Sequence, residues 1–140
     1  MDESAASAPE ASLAVGFDLC DTKRVRLALT RHPRLAERLF CAGELAYANS
    51  MADPWPHLAA RFAAKEAAMK VLGKALGKVG FLEIEVAREP SGKPYLVLRG
   101  KAAEVAREAG LEDMACSLSH TAELAAAVVV ARRKSKGGQA

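Results

Sequence analysis

Long apolar runs are missing from this chain: no uninterrupted hydrophobic stretch approaches the roughly 18 residues that a membrane span needs. Its opening stretch, MDESAASAPEAS, has acidic residues where a secretory signal would carry basic ones. A cytoplasmic protein with no membrane association is expected. Cysteine is scarce as well. Cys20, Cys41 and Cys116 are odd in number and far apart, and no CxxC spacing occurs, so neither a disulfide framework nor a zinc site organises the fold. Three buried thiols are expected. No Gly-x-Ser-x-Gly elbow is present, and no internal repeat.

What is there suits one soluble domain: 140 residues, 51% hydrophobic and 26% charged. The net charge of +3 is uneven along the chain. Arg132, Arg133, Lys134 and Lys136 sit in the tail, leaving 16 basic against 17 acidic residues elsewhere. The body is therefore close to neutral. Within it, residues 21 to 38 carry Lys23, Arg24, Arg26, Arg31, Arg34 and Arg38 against Asp21 and Glu37, a local balance of +4. Such a patch favours an acidic partner. It contains no Phe, Trp or Tyr to stack on bases, which disfavours a nucleic acid.

Residues 1–12 and 132–140 lack periodicity and read as flexible ends around a domain at 13–131. Leu13 to Leu19 reads as a buried strand, and Asp21 or Thr22 can cap a helix that His32-Pro33 stops near Arg31. A short helix is expected over Ala42 to Asn49. Asp53-Pro54-Trp55-Pro56 forms a turn before a long helix from about His57 to Leu76. Phe81 to Ala87 and Pro94 to Leu98 alternate around Glu89-Pro90-Ser91-Gly92, the pattern of a hairpin. Lys101 to Glu108 is helical, and strands at Met114 to Leu118 and Leu124 to Ala131 join at Ser119-His120-Thr121. Neighbouring strands with short connections predict an α+β fold, an antiparallel sheet with packed helices.

Three places could carry chemistry. On the long helix, Glu66 and Lys70 stand one turn apart on the flank of an apolar stripe of Leu58, Phe62, Met69, Leu72 and Leu76. This is either a surface ion pair contributing roughly 0.2–0.5 kcal/mol or a carboxylate and an ammonium that hold a metal and a phosphate oxygen. Ala59 and Ala63 beside them would leave room for a ligand. Asp18 interrupts an apolar strand, so it either caps the next helix or binds a cation. Ser117-Leu118-Ser119-His120-Thr121 suits local hydrogen bonds or a phosphate contact better than a catalytic triad.

Gly16-Phe17-Asp18, then Arg61-Phe62-Ala63-Ala64-Lys65-Glu66-Ala67 with Lys70, then Gly92-Lys93-Pro94-Tyr95, then Ser117-Leu118-Ser119-His120-Thr121 occur in this order. Together, over about residues 15–131, they resemble the holo-acyl carrier protein synthase family of 4′-phosphopantetheinyl transferases. The resemblance implies the 4′-phosphopantetheinyl transferase fold, single-domain subunits in a homotrimer, and active sites between subunits. It implies transfer of phosphopantetheine from coenzyme A to a serine of an acyl carrier protein, with Mg²⁺ as cofactor. In that reading Asp18 and Glu66 hold the metal, and Glu66, Lys70 and Asp18 are catalytic. Arg61, Lys70 and His120 bind coenzyme A, Arg61 reaching the 3′-phosphate from a neighbouring subunit, while Arg24, Arg31 and Arg34 dock the carrier protein.

The chain departs from the family pattern in three places. Residues 73–81 lack the usual Gly-Thr-Gly element, Ala68 stands where an aromatic is common, and Cys41 replaces the hydroxyl of a capping box with Glu44. Competing readings are a magnesium-dependent hydrolase of coenzyme A or another nucleotide, a non-catalytic module that binds a carrier protein or coenzyme A, and a basic nucleic-acid binder.

Overall fold

The computed structural model describes residues 11–73 and 78–135. The N-terminal strand β1 (Leu13–Asp21) leads into helices α1 (Thr22–Arg31), α2 (Leu35–Leu39), α3 (Ala42–Asn49) and the long α4 (Trp55–Leu72). A 3-10 turn (Phe81–Glu83) then precedes the hairpin β2 (Ile84–Arg88) and β3 (Pro94–Leu98), helix α5 (Gly100–Glu108), and strands β4 (Leu111–His120) and β5 (Leu124–Arg133). All strand pairings are antiparallel, in one sheet of order β1-β5-β4 and a second of β2-β3. The α+β expectation holds. Among the described residues no helix is long and apolar enough to cross a membrane.

Local chemistry accounts for most boundaries. Asp21 caps α1, its carboxylate accepting from the Lys23 amide at 2.9 Å. Asp53 Oδ1 accepts from the Trp55 amide at 3.1 Å, and Pro56 at the second helical position of α4 forfeits a hydrogen bond the helix could not have made. The helix thus starts two residues before His57. It ends at Leu72, because Gly73 takes a left-handed φ of 70°. The expected continuation to Leu76 and residues 74–77 of the altered stretch 73–81 lie outside the described residues, as do 1–10 and 136–140. The hairpin closes with Gly92 at φ 96° donating to the Glu89 carbonyl at 2.8 Å.

Three differences from the sequence reading have physical causes. Helix α2 has no side-chain cap and just five residues, and it forms where buried Phe40 closes the core behind it. β4 and β5 run further than expected, past a bulge at Glu112/Ala115. There Arg132 binds Glu112 and Asp113, so the domain's last strand includes Arg132 and Arg133 instead of stopping at 131. Of the cysteines, only Cys20 is buried; Cys41 and Cys116 are partly exposed.

The core is a seam of small side chains. β1 turns Ala14, Gly16, Asp18 and Cys20 inward, and β5 turns Ala125, Ala127, Val129 and Ala131 the same way. Facing them, α4 presents Ala60, Ala63, Ala64, Ala67 and Ala68, each at most 1% exposed. A Cβ on Gly16 would lie 2.0 Å from the Ala67 carbonyl oxygen, so backbone meets backbone at that point. The outer face of β1 is apolar yet uncovered: Leu13, Val15, Phe17 and Leu19 are each more than half exposed.

Gly16→Ala should therefore lower stability by about 1–3 kcal/mol, the range for overpacking a filled core, read as a lower urea midpoint. Gly43→Ala is the control: its Cβ would meet nothing closer than 3.5 Å, so its midpoint should stay the same or rise.

Candidate active site

The contact between Gly16 and Ala67 places two carboxylates near each other. Asp18 is one strand period beyond Gly16 on the same face of β1, and Glu66 precedes Ala67 on α4. Lys70, one turn further along α4, reaches over to β1, where Nζ donates to the Phe17 carbonyl at 2.8 Å and pairs with Asp18 Oδ1 at 3.3 Å. Asp18 accordingly does not cap α1, a role taken by Asp21. Burial pushes the Glu66 carboxyl above the ordinary glutamate range, and the negative charge of Asp18 pushes it the same way. Lys70 and Arg24 offset part of that rise.

Asp18 and Glu66 open on one groove of about 350 Å³, with Arg24 on its rim and Val25, Leu29 and Phe62 on its walls. Ala59 and Ala63, expected to leave room for a ligand, are instead fully buried in the seam. The groove lies where β1, α1, α2 and α4 come together. Among the described residues no group of three or more His, Cys, Asp or Glu side chains could hold a metal by itself. Two oxygen donors that repel each other fit a small hard cation such as Mg²⁺, which commonly keeps waters and takes further oxygens from substrate phosphates.

The other candidates gather elsewhere. Arg61 is 5% exposed, and its Nη1 donates to the His57 carbonyl at 3.3 Å while Nε has no partner. Its guanidinium lies 4.4 Å from the Tyr47 ring centre, and that of Arg88 lies 4.0 Å from the same ring. His57 packs edge-on between Tyr47 at 5.5 Å and His120 at 4.9 Å. Burial, then the neighbouring His120 and Arg61, hold the His57 imidazole below its usual range. A depression of about 230 Å³ opens on Tyr47, Arg61 and Arg88; Glu85 in its wall is engaged by Arg99 at 2.7 Å.

At 3.6 residues per turn, Arg61 stands about 140° around α4 from Glu66 and about 180° from Lys70. The chain thus holds Asp18, Glu66, Lys70 and Arg24 on one flank of the helix, and Arg61 and His120 on the other. The two flanks follow the two edges of the sheet, β1 and β4. Arg31 and Arg34 are exposed at the end of α1 and the start of α2, beside a second depression shared with Leu35 and Arg38. Tyr47, His57 and Arg88 escaped the sequence reading. A signal existed for His57, which lies one helical turn before Arg61.

A sequence profile described as "4′-phosphopantetheinyl transferase superfamily" matches residues 14–129. The chain belongs to this superfamily. Among transferases of known name, the holo-[acyl-carrier-protein] synthase of Moorella thermoacetica is 43% identical over 118 residues, covering 84% of this chain and 92% of that one. The synthase of Streptomyces avermitilis is 45% identical over 119 residues, covering 85% and 96%. Of solved structures, the ACPS-CoA complex of Chronobacterium ammoniagenes superposes with a TM-score of 0.78 at 32% identity, over 90% of this chain and all of that one. The holo-[acyl-carrier-protein] synthase of Helicobacter pylori in complex with coenzyme A gives 0.73 at 28%, over 84% and 98%. The transferase fold expected from the sequence motifs is thus the observed one.

The raised proton affinity of Glu66 has a measurable consequence. Its folded state favours the protonated carboxyl, so ionisation costs stability above the folded pKa, whereas below the ordinary glutamate range the group is protonated in both states and the cost vanishes. Glu66→Gln should raise the melting temperature of the metal-free protein at pH 7, and the gain should fade as the pH drops below 4. Thermal scans across that range check it.

Proposed function

We propose that this transferase moves 4′-phosphopantetheine from coenzyme A to a serine hydroxyl of an apo acyl carrier protein, giving holo carrier protein and adenosine 3′,5′-bisphosphate. The observation that carries this reading is the trio of Asp18, Glu66 and Lys70 beside an arginine-rimmed groove, in a chain whose relatives bear the synthase name. Asp18 and Glu66 would hold the Mg²⁺. That ion would neutralise charge on the diphosphate.

The serine oxygen attacks the phosphorus that bears the pantetheine arm, and the bond to the bridging diphosphate oxygen breaks. The electron pair leaves on the adenosine bisphosphate. Lys70 supplies a fixed positive charge where that negative charge grows, which lowers the barrier electrostatically. The serine proton passes to Glu66, whose proton affinity burial raises, or to a water in the groove.

Carrier docking and donor binding use the two flanks differently. Arg24 lies on the rim of the groove that holds Glu66, and Arg31 and Arg34 extend the positive surface along α1 and α2, suited to an acidic carrier protein. Arg61 and His120 bind the nucleotide phosphates of a coenzyme A that lies across a neighbouring copy of the chain. A homotrimer built through the uncovered face of β1 would pair one copy's carboxylate flank with another's Arg61 flank. The exposed Leu13, Val15, Phe17 and Leu19 support such an assembly. Three free cysteines suit a reducing cytoplasm.

Incubation with coenzyme A, Mg²⁺ and an apo carrier should add the phosphopantetheine mass to the carrier, and chelation should stop it. Cleavage of coenzyme A with the carrier unmodified would establish hydrolysis instead. Asp18→Ala and Glu66→Ala should each lower kcat by about 100- to 1000-fold, the scale for losing one charge-stabilising group. Arg24→Glu should raise the carrier KM about tenfold with little change in kcat, the pattern of lost encounter electrostatics.

Val15→Asp/Phe17→Asp should yield a monomer by light scattering that no longer transfers. A wild-type protein that is monomeric yet active would remove the trimer from this account.

A further inference from the structure

Three elements of the fold meet at one buried ion pair. Lys65 of α4 and Glu44 of α3 are both fully buried, with Nζ 2.8 Å from Oε1. Nζ also donates to the carbonyls of Phe81 at 3.0 Å and Ile84 at 2.6 Å, so each of the three ammonium protons has an acceptor. Glu44 in turn accepts from the Cys41 amide at 2.7 Å and, through Oε2, from the Val86 amide at 2.7 Å. The Cys41 thiol donates to the Leu82 carbonyl at 3.7 Å.

Net stability is a poor explanation for such a pair, because replacing both charges of a buried ion pair with apolar groups is often neutral or stabilising. Geometry gives a better one. On α3, α4 and β2, one residue of the cationic cluster lies one helical turn or one strand period from a residue that the knot holds. Tyr47 lies three residues after Glu44 on α3, Arg61 four before Lys65 on α4, and Arg88 two after Val86 on β2. Those spacings return to one face of a helix or a strand. The knot therefore fixes the mutual height of the elements that bring Arg61 and Arg88 over the Tyr47 ring.

We propose that the Glu44–Lys65 ion pair is the positioning device of this cluster, aligning Tyr47, Arg61 and Arg88 to receive the 3′-phosphate of coenzyme A and so setting the preference for a donor that carries that phosphate. The inference rests on the transferase reading above. The carboxylate flank does not need the pair, since the contact between Gly16 and Ala67 aligns Asp18 with Glu66. Lys65 and Glu44 are positioning residues. Their loss should affect donor choice and leave turnover intact.

The test measures KM and kcat for coenzyme A and for 3′-dephospho-coenzyme A, with Mg²⁺ and an apo carrier. Wild type is compared with Lys65→Met, Glu44→Gln and the double variant Glu44→Gln/Lys65→Met, which leaves no buried charge behind. In the variants the KM for coenzyme A should rise about tenfold, as when an outer support of a binding group is lost. The KM for the dephospho donor and kcat on both donors should stay near wild type. An equal fall of kcat on both donors with the preference retained would overturn the proposal, as would variants indistinguishable from wild type or loss of cooperative unfolding in all three. A wild type that modifies no carrier refutes the transferase reading itself. A wild type that transfers from both donors equally well refutes the phosphate-receiving role of the cluster, and the inference with it.

Discussion

The backbone of α4 lies directly on the backbone of β1, because position 16 has no side chain to hold the Ala67 carbonyl away. Most helices stand off a sheet by the thickness of two layers of side chains, so residues at the ends of long side chains decide what meets across the gap. Here the gap is almost absent, and short side chains decide. Asp18 and Glu66 reach a common groove from positions adjacent to the contact, and Lys70 spans from helix to strand to hold both a backbone carbonyl and a carboxylate. The contact is tight enough that neither element can slide without displacing the other, which gives the carboxylates a fixed separation before any ligand arrives.

The same helix separates two kinds of charge. On the β1 flank, burial and then the negative charge of Asp18 raise the proton affinity of Glu66, a strain that a cation relieves. On the β4 flank, two guanidiniums share one tyrosine ring beside two imidazoles, an arrangement that an anion relieves. A diphosphate donor with a further phosphate at its far end carries both needs in one molecule. Within the chain the two flanks lie on different sides of α4, and the outer face of β1 beside the carboxylates is apolar and uncovered.

Much of this was legible in the sequence because it is encoded locally. The Asp21 cap, the hairpin around Gly92 and the start of α4 near its two prolines each depend on residues within a few positions of one another. The string around Lys65 and Glu66 carried the family, and with it the carboxylates. Features made by distant partners were not legible. Nothing near Lys65 in the sequence marks it as buried, because its partners are Glu44, twenty-one positions earlier, and two backbone carbonyls from beyond α4. Ala59 and Ala63 read as space around a ligand, yet both are fully buried in the core. Arg132 and Arg133 read as tail until the strand pair places Arg132 against Glu112 and Asp113 and sets Arg133 opposite Leu111, its Nε donating to the Ala11 carbonyl.

The small-residue seam also decides how this protein would respond to wholesale mutagenesis. In an ordinary core the damaging change is truncation, and replacing each residue by alanine reveals the positions that matter. Along α4 most of the sheet-facing positions are alanine already, so such a survey would pass over the most tightly constrained surface in the molecule. Its tolerance would show only in the opposite direction, when methyl groups are added one at a time and the helix has nowhere to retreat.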